Sequence, residues 1–203
     1  MLAAAVLSLV VAACGTAPRV RSGRRSAESH LYESQWVELL PASQTLGEPA
    51  ALAGITDAHN RVRAAVATSP PLPPLRWDDG LAQRAQDYSE VLVRQGSMQH
   101  SRDRQGIIGE NLYWISTTCP RADAAPAVWA TESACYAQRP GQVGQCDSAC
   151  LQRTRLPACG HYTQMVWRGS EAVGCGQSYR SGVGCFVVCQ YGPAGNWTGE
   201  PAY

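Results

Sequence analysis

The segment CGHYTQMVW, residues 159–167, places a histidine beside a cysteine and ahead of a hydrogen-bonding pair, then runs directly into apolar residues. A histidine at such a junction has three physical uses: metal ligand, general base, or packed core residue. The rest of the chain removes several catalytic options. It contains no G-x-S-x-G nucleophile elbow, no H-E-x-x-H zinc helix and no Cys/His protease signature. Ser101 follows His100 directly, and adjacent side chains at a helix end point in different directions, which makes Ser101 a poor nucleophile.

Cysteine is the most informative residue type. The chain has nine, eight of them between Cys119 and Cys189. An even cluster in one part of a mid-sized chain indicates disulfides formed in an oxidising compartment. A zinc knuckle is the rival reading, but no pair shows C-x-x-C spacing. The ninth, Cys14, closes the run MLAAAVLSLVVAAC. That apolar stretch is too short to cross a hydrocarbon core of ~30 Å as a helix and reads as a signal peptide. Val11-Ala12-Ala13-Cys14 resembles a bacterial lipobox, whose cysteine is lipidated and becomes the mature N-terminus. The alternative is an ordinary signal peptide cleaved near Ala12 or Ala13.

With 203 residues and a net charge of +1, the chain has room for one domain and a tail, and gives no electrostatic case for nucleic acid. All 17 basic residues are arginine. Residues 15–48 form a tether: GTAPRVRSGRRSAESH is small, polar and arginine-dotted, and LYESQWVELLP could lie as a short helix on the domain or on a membrane. The folded domain is expected over 49–203.

Within it, Ile55, Val62 and Val66 share helical spacing, with Thr56 or Asp57 as the cap. SPPLPPLRW breaks that helix. Leu81, Ala85, Tyr88 and Leu92 form one stripe of a second helix ending at Gly96. GENLYWI reads as an extended segment. DAAPAVWATESACYAQ reads as a third helix with Asp123 as cap and Pro126 in its first turn. Residues 139–158 form a stapled loop, and MVWRG, AVGCGQSYR and VGCFVVCQYG read as strands, the last two joined at Ser-Gly. Helices ahead of and between antiparallel strands give an α/β layered domain rather than a doubly wound sheet. Gly195-Asn196 is a turn signal, and His59 is expected to be structural.

GHYTQMVW together with FVVCQYGPAGNWTGEPAY resembles the two signature motifs of the CAP superfamily, which contains cysteine-rich secretory proteins, insect venom antigens and plant pathogenesis-related proteins. HNRVR, LRWDDGLAQRAQDY, GENL and VWATESACY match in the expected order, from about residue 55 to Tyr203. The resemblance implies an α-β-α sandwich, with an antiparallel sheet between helices, stapled by disulfides. It also implies a cleft lined by His100, Glu110, Glu132 and His161, and a bridge between Cys175 and Cys189 across the last two strands; Cys175 with Cys185 is the nearest rival. Gly96 to Gln99 lack the cysteine that related chains often carry before the first cleft histidine. Cys119, Cys146, Cys150 and Cys185 stand off the expected positions, which leaves the pairing around 139–158 open.

The chemistry of that cleft is coherent. Neutral imidazoles bind Zn²⁺, and a carboxylate on the other ring nitrogen fixes the tautomer. Two histidines leave coordination positions open, so affinity should be modest. The resemblance therefore implies a non-enzymatic extracytoplasmic protein that binds zinc at His100 and His161 and a sterol or fatty acid elsewhere; with the lipobox, it is expected to be a monomer anchored through lipid on Cys14, or else secreted. A zinc-dependent hydrolase using Glu110 or Glu132 as base on metal-bound water is the alternative. A cell-envelope scaffold with a vestigial cleft is the third.

Overall fold

The computed structural model describes residues 47–102, 104, 106–137, 145–156 and 158–203. The apolar N-terminal run, Cys14 and LYESQWVELLP lie outside the described residues. Five helices are described: α1 (Ile55–Ala64), α2 (Asp79–Gln95), α3 (Ala124–Ala130), α4 (Ser148–Thr154) and α5 (Gly160–Met165). The strands are β1 (Arg76–Trp77), β2 (Gly109–Ile115), β3 (Tyr136–Ala137), β4 (Gln145–Cys146), β5 (Ala172–Arg180) and β6 (Gly184–Gly192). The main sheet runs β1-β5-β6-β2. It is antiparallel except for its two-residue edge, where β1 runs parallel to β5.

Alternation along the strands separates two apolar layers. Val173, Cys175, Val187, Cys189 and Tyr191 face Ile55, Val62, Trp129, Met165 and Val166 from α1, α3 and the α5 end. Phe186, Val188 and Leu112 face Ala85, Leu92 and Val93 of α2. This is an α-β-α sandwich. The sheet and α2 touch backbone to backbone, because β5 presents Gly174 and Gly176 to the helix. A Cβ on Gly176 would lie 2.3 Å from the Gln86 Cα, and one on Gly174 2.1 Å from the Ala82 nitrogen.

Local signals explain most boundaries. Asp78 caps α2 by accepting from the Leu81 N–H, and Gly96 ends it at φ 67°. The α1 start differs from the expectation. Neither Thr56 nor Asp57 caps it; the buried Glu48 carboxylate accepts from the Gly54 and Thr56 N–H groups at 2.7 and 2.8 Å. Asp123 occupies the α3 cap position without a capping bond and pairs instead with Arg121 at 2.7 Å. The third helix is shorter than its pattern suggests, giving way to a 3-10 segment over Thr131–Cys135. MVWRG is no strand: Met165 closes α5, and Val166 and Trp167 are core residues of the turn that follows. The buried Arg63 guanidinium fixes that turn, donating to the Met165 and Trp167 carbonyls at 2.9 Å each and to Pro73 at 2.8 Å.

Four disulfides are formed: Cys119–Cys185, Cys135–Cys150, Cys146–Cys159 and Cys175–Cys189. The last joins directly opposed residues of β5 and β6, so the rival pairing with Cys185 does not occur. The stapled loop carries β4 and the short helix α4, tied at both ends.

Gly176→Ala should cost about 3 kcal/mol, the upper end of overpacking penalties, because the obstructing atoms are backbone and cannot rotate away. Urea unfolding measures it. A loss below ~0.5 kcal/mol would mean that α2 does not press on β5 as described.

Candidate functional site

Strand β2 starts at a cleft of about 820 Å³. Gly109, Glu110 and Asn111 line it at the strand's first residues, His100, Ser101, Arg102 and Arg104 from the segment after α2, His161 and Gln164 from α5, and Ala194 to Trp197 from the chain beyond β6. Gly109 leaves room there for the Gln164 carboxamide, which a Cβ would displace and whose oxygen accepts from the Gly195 N–H at 3.0 Å. Gln164 thereby ties β2, α5 and the C-terminal segment into one wall.

Each histidine is held by a buried carboxylate. His100 lies past the end of α2, with Nδ1 2.8 Å from Glu110 Oε1. Glu110 also receives the Ser101 N–H at 3.0 Å, the Ser101 hydroxyl at 2.8 Å and the Gln190 carboxamide at 3.0 Å. Burial pushes its carboxyl up, but His100, Ser101 and Gln190 more than offset this and hold it below the usual carboxylate range. His161 sits in the first turn of α5, with Nδ1 2.6 Å from Glu132 Oε1. Glu132 Oε2 accepts from the N–H groups of His161 and Tyr162 at 2.9 and 3.0 Å, donors that the helix itself leaves unpaired. The indole of Trp129 stacks on the His161 ring, centroids 6.0 Å apart.

A carboxylate facing Nδ1 accepts, so Nδ1 carries the hydrogen and the neutral ring presents its lone pair on Nε2. Both rings line the same cleft, and in both the nitrogen left with a lone pair is Nε2. Among the described residues no group of three or more His, Cys, Asp or Glu side chains is arranged to hold a metal ion. The protein donors this cleft offers a cation are therefore the two histidine Nε2 atoms, fewer than the three or four of catalytic and structural zinc sites.

The four positions carried by the resemblance thus fall in two His–Glu pairs around one cleft, although Glu132 lies behind His161 rather than on the cleft surface. Sequence reading missed four supporting residues. Ser101, weighed only as a nucleophile, holds Glu110 through two bonds. Gln190 and Asn111 are polar side chains within apolar strands, and each is about 1% exposed; a polar residue in such a run was the available signal. Gln164 is the fourth.

His59 is fully buried, as expected of a structural residue. Its Nδ1 donates to the Ile55 carbonyl at 2.7 Å, and Nε2 accepts from the Tyr191 hydroxyl at 2.8 Å. Tyr191 accepts from Asn111 at 3.1 Å, and Asn111 also donates to the His161 carbonyl at 3.0 Å. A buried hydrogen-bond chain therefore runs from α1 to the cleft histidine.

The model of the cysteine-rich secretory protein family matches residues 56–191, and the chain belongs to that family. Pathogenesis-related protein 1C of Nicotiana tabacum is 38% identical over 147 residues, covering 72% of this chain and 77% of that protein. Pathogenesis-related leaf protein 4 of Solanum lycopersicum is 34% identical over 145 residues, covering 71% and 79%. Among solved structures, NaASP2 with Zn²⁺ aligns at TM-score 0.59 and 26% identity over 80% of this chain and 90% of that one. The venom allergen-like protein 4 of Schistosoma mansoni aligns at 0.55 and 24%, over 77% and 95%, and speaks to the fold alone.

Burial lowers the His59 pKa to about 4. The unfolded chain binds this proton near the ordinary 6.5 and the folded chain does not, so stability is full above 6.5 and falls as pH drops toward 4. Between pH 7.5 and 4.5 the loss from this group should be about 2.5 kcal/mol. Chemical denaturation at the two pH values measures it in the parent and in His59→Gln, where the dependence through this window should shrink by that amount. An unchanged pH dependence in the variant would refute the assignment.

Proposed function

We propose that this is an exported, non-enzymatic member of the family whose cleft binds a divalent cation, zinc, weakly through Nε2 of His100 and His161. One observation carries the reading: each Nδ1 is engaged by a buried carboxylate, which leaves both Nε2 atoms as acceptors on one cleft. That NaASP2 was solved with Zn²⁺ supports it. Two nitrogen ligands give a looser site than the three or four of catalytic and structural zinc.

The hydrolase alternative needs a carboxylate free to take a proton from metal-bound water. Glu110 has four donors on its two oxygens and a fully enclosed side chain. Glu132 accepts three bonds and lies behind His161. Both carboxylates are committed to orientation, which favours binding over turnover. Four disulfides support an oxidising, extracytoplasmic location. Lipid attachment at Cys14 belongs to the same proposal. So does a sterol or fatty-acid ligand away from the metal, for which a second cavity of about 540 Å³, lined by Tyr136, Trp167, Trp197 and Ala202 among others, has suitable size and walls.

Calorimetric titration should show zinc binding to the parent, weakening on acidification as imidazole protonates. His100→Ala with His161→Ala should abolish it while leaving the circular dichroism spectrum intact. Unchanged zinc affinity in that variant would remove the site from the cleft. Zinc-dependent peptide cleavage by the parent, lost in Glu110→Gln or Glu132→Gln, would establish the hydrolase instead.

A further inference from the structure

We infer that the cleft takes an organic carboxylate with a flat apolar body, its anionic end held by Arg102 and Arg104 and its body laid against Trp197. The inference rests on the reading of the cleft as a ligand site and names the class of ligand. It does not require zinc to be bound first.

The charge on the lining is the first argument. Arg102 and Arg104 both line the cleft, and Glu110 is the carboxylate among the described residues that shares it. The negative charge of Glu110 is already met by His100, two donors of Ser101, and Gln190. Among the described residues, two arginines and one fully engaged carboxylate share the lining, a balance that favours an anionic ligand. Arg104 is anchored by its Nε, which donates to the Ser101 carbonyl at 3.0 Å. A guanidinium fork pairs with a planar carboxylate in two parallel bonds, which suits a carboxylate better than a neutral acceptor. The open positions of a cation on His100 and His161 would favour the same group.

The apolar part of the lining is the second argument. Ile108, Ala158, Ala194 and Trp197 complete the cleft. The Trp197 indole is half exposed yet pinned, because its Nε1 donates to the Ala194 carbonyl at 3.1 Å. The same residue lines the second cavity, so its ring lies where the two spaces adjoin. A held, exposed indole on the same lining as two arginines offers a stacking platform and an anion clamp within one cleft.

The test compares 2-naphthoate with its uncharged analogue 2-naphthamide, titrated calorimetrically into metal-free parent protein with chelator present. Naphthoate should bind at least ~10-fold more tightly, the factor expected from one charge-assisted pairing. In the Arg102→Gln, Arg104→Gln double variant the preference should collapse toward unity. Trp197→Ala should weaken both probes by a similar factor of about 5, the loss of one aromatic contact. Circular dichroism and thermal melting verify that each variant is folded, and the parent comparison needs no variant. Equal affinity for the two probes in the parent, or an undiminished preference in the arginine variant, would overturn the inference. A zinc titration on the same parent sample separates the two readings. Naphthoate preference without zinc binding removes the metal alone, whereas zinc binding without naphthoate preference removes this inference alone.

Discussion

Two buried carboxylates are the constraint around which the cleft is built. An enclosed carboxylate that loses its donors costs several kcal/mol, so the segments supplying those donors cannot drift independently. Glu110 draws from His100 and Ser101 on the approach to β2 and from Gln190 on β6. Glu132 draws from the first turn of α5. Each glutamate thus fixes a backbone segment and, through the oxygen facing Nδ1, the tautomer of one histidine. The positions of the two Nε2 atoms follow from satisfying two buried charges.

Covalent bonds reinforce the same connection on the α5 side. Cys135 lies three residues past Glu132, and Cys159 lies two residues before His161. Cys150 of α4 bridges to Cys135, and Cys146 of β4 bridges to Cys159, so the β4–α4 segment acts as a tie between the glutamate and its histidine. Loops of this size contribute about 3 kcal/mol each when closed by a disulfide, in the chain-entropy account. Unfolding that segment would forfeit both the tie and the pairing. On the other side, His59, Tyr191 and Asn111 reach the His161 carbonyl through buried bonds, which joins the core beneath α1 to the backbone that carries this histidine.

Much of the scaffold was legible because the relevant signals are local. The α2 stripe, its Asp78 start and its Gly96 stop lie within one stretch, and so do the β5–β6 hairpin and GENLYWI. What escaped was set by residues far apart in sequence or packed backbone to backbone. The α1 cap comes from Glu48, before the helix. Met165 ends a helix, although the run it opens has a strand-like composition, because Glu132 caps the α5 N-terminus from 29 residues away. The residues alone left His161 with three possible roles, and family resemblance, not spacing, brought His100, Glu110 and Glu132 to its side. Ser101, Asn111, Gln164 and Gln190 have roles visible only once the carboxylates they serve or the chain segments they join are in place.

The central claim is that two carboxylate-oriented histidines present their Nε2 atoms to one cation. X-ray absorption at the zinc edge of the zinc-loaded protein tests it most directly. The account predicts two imidazole nitrogens at ~2.0–2.1 Å, the rest of the shell being oxygen. A shell with sulfur at ~2.3 Å, with three or more imidazoles, or with no imidazole scattering would contradict it.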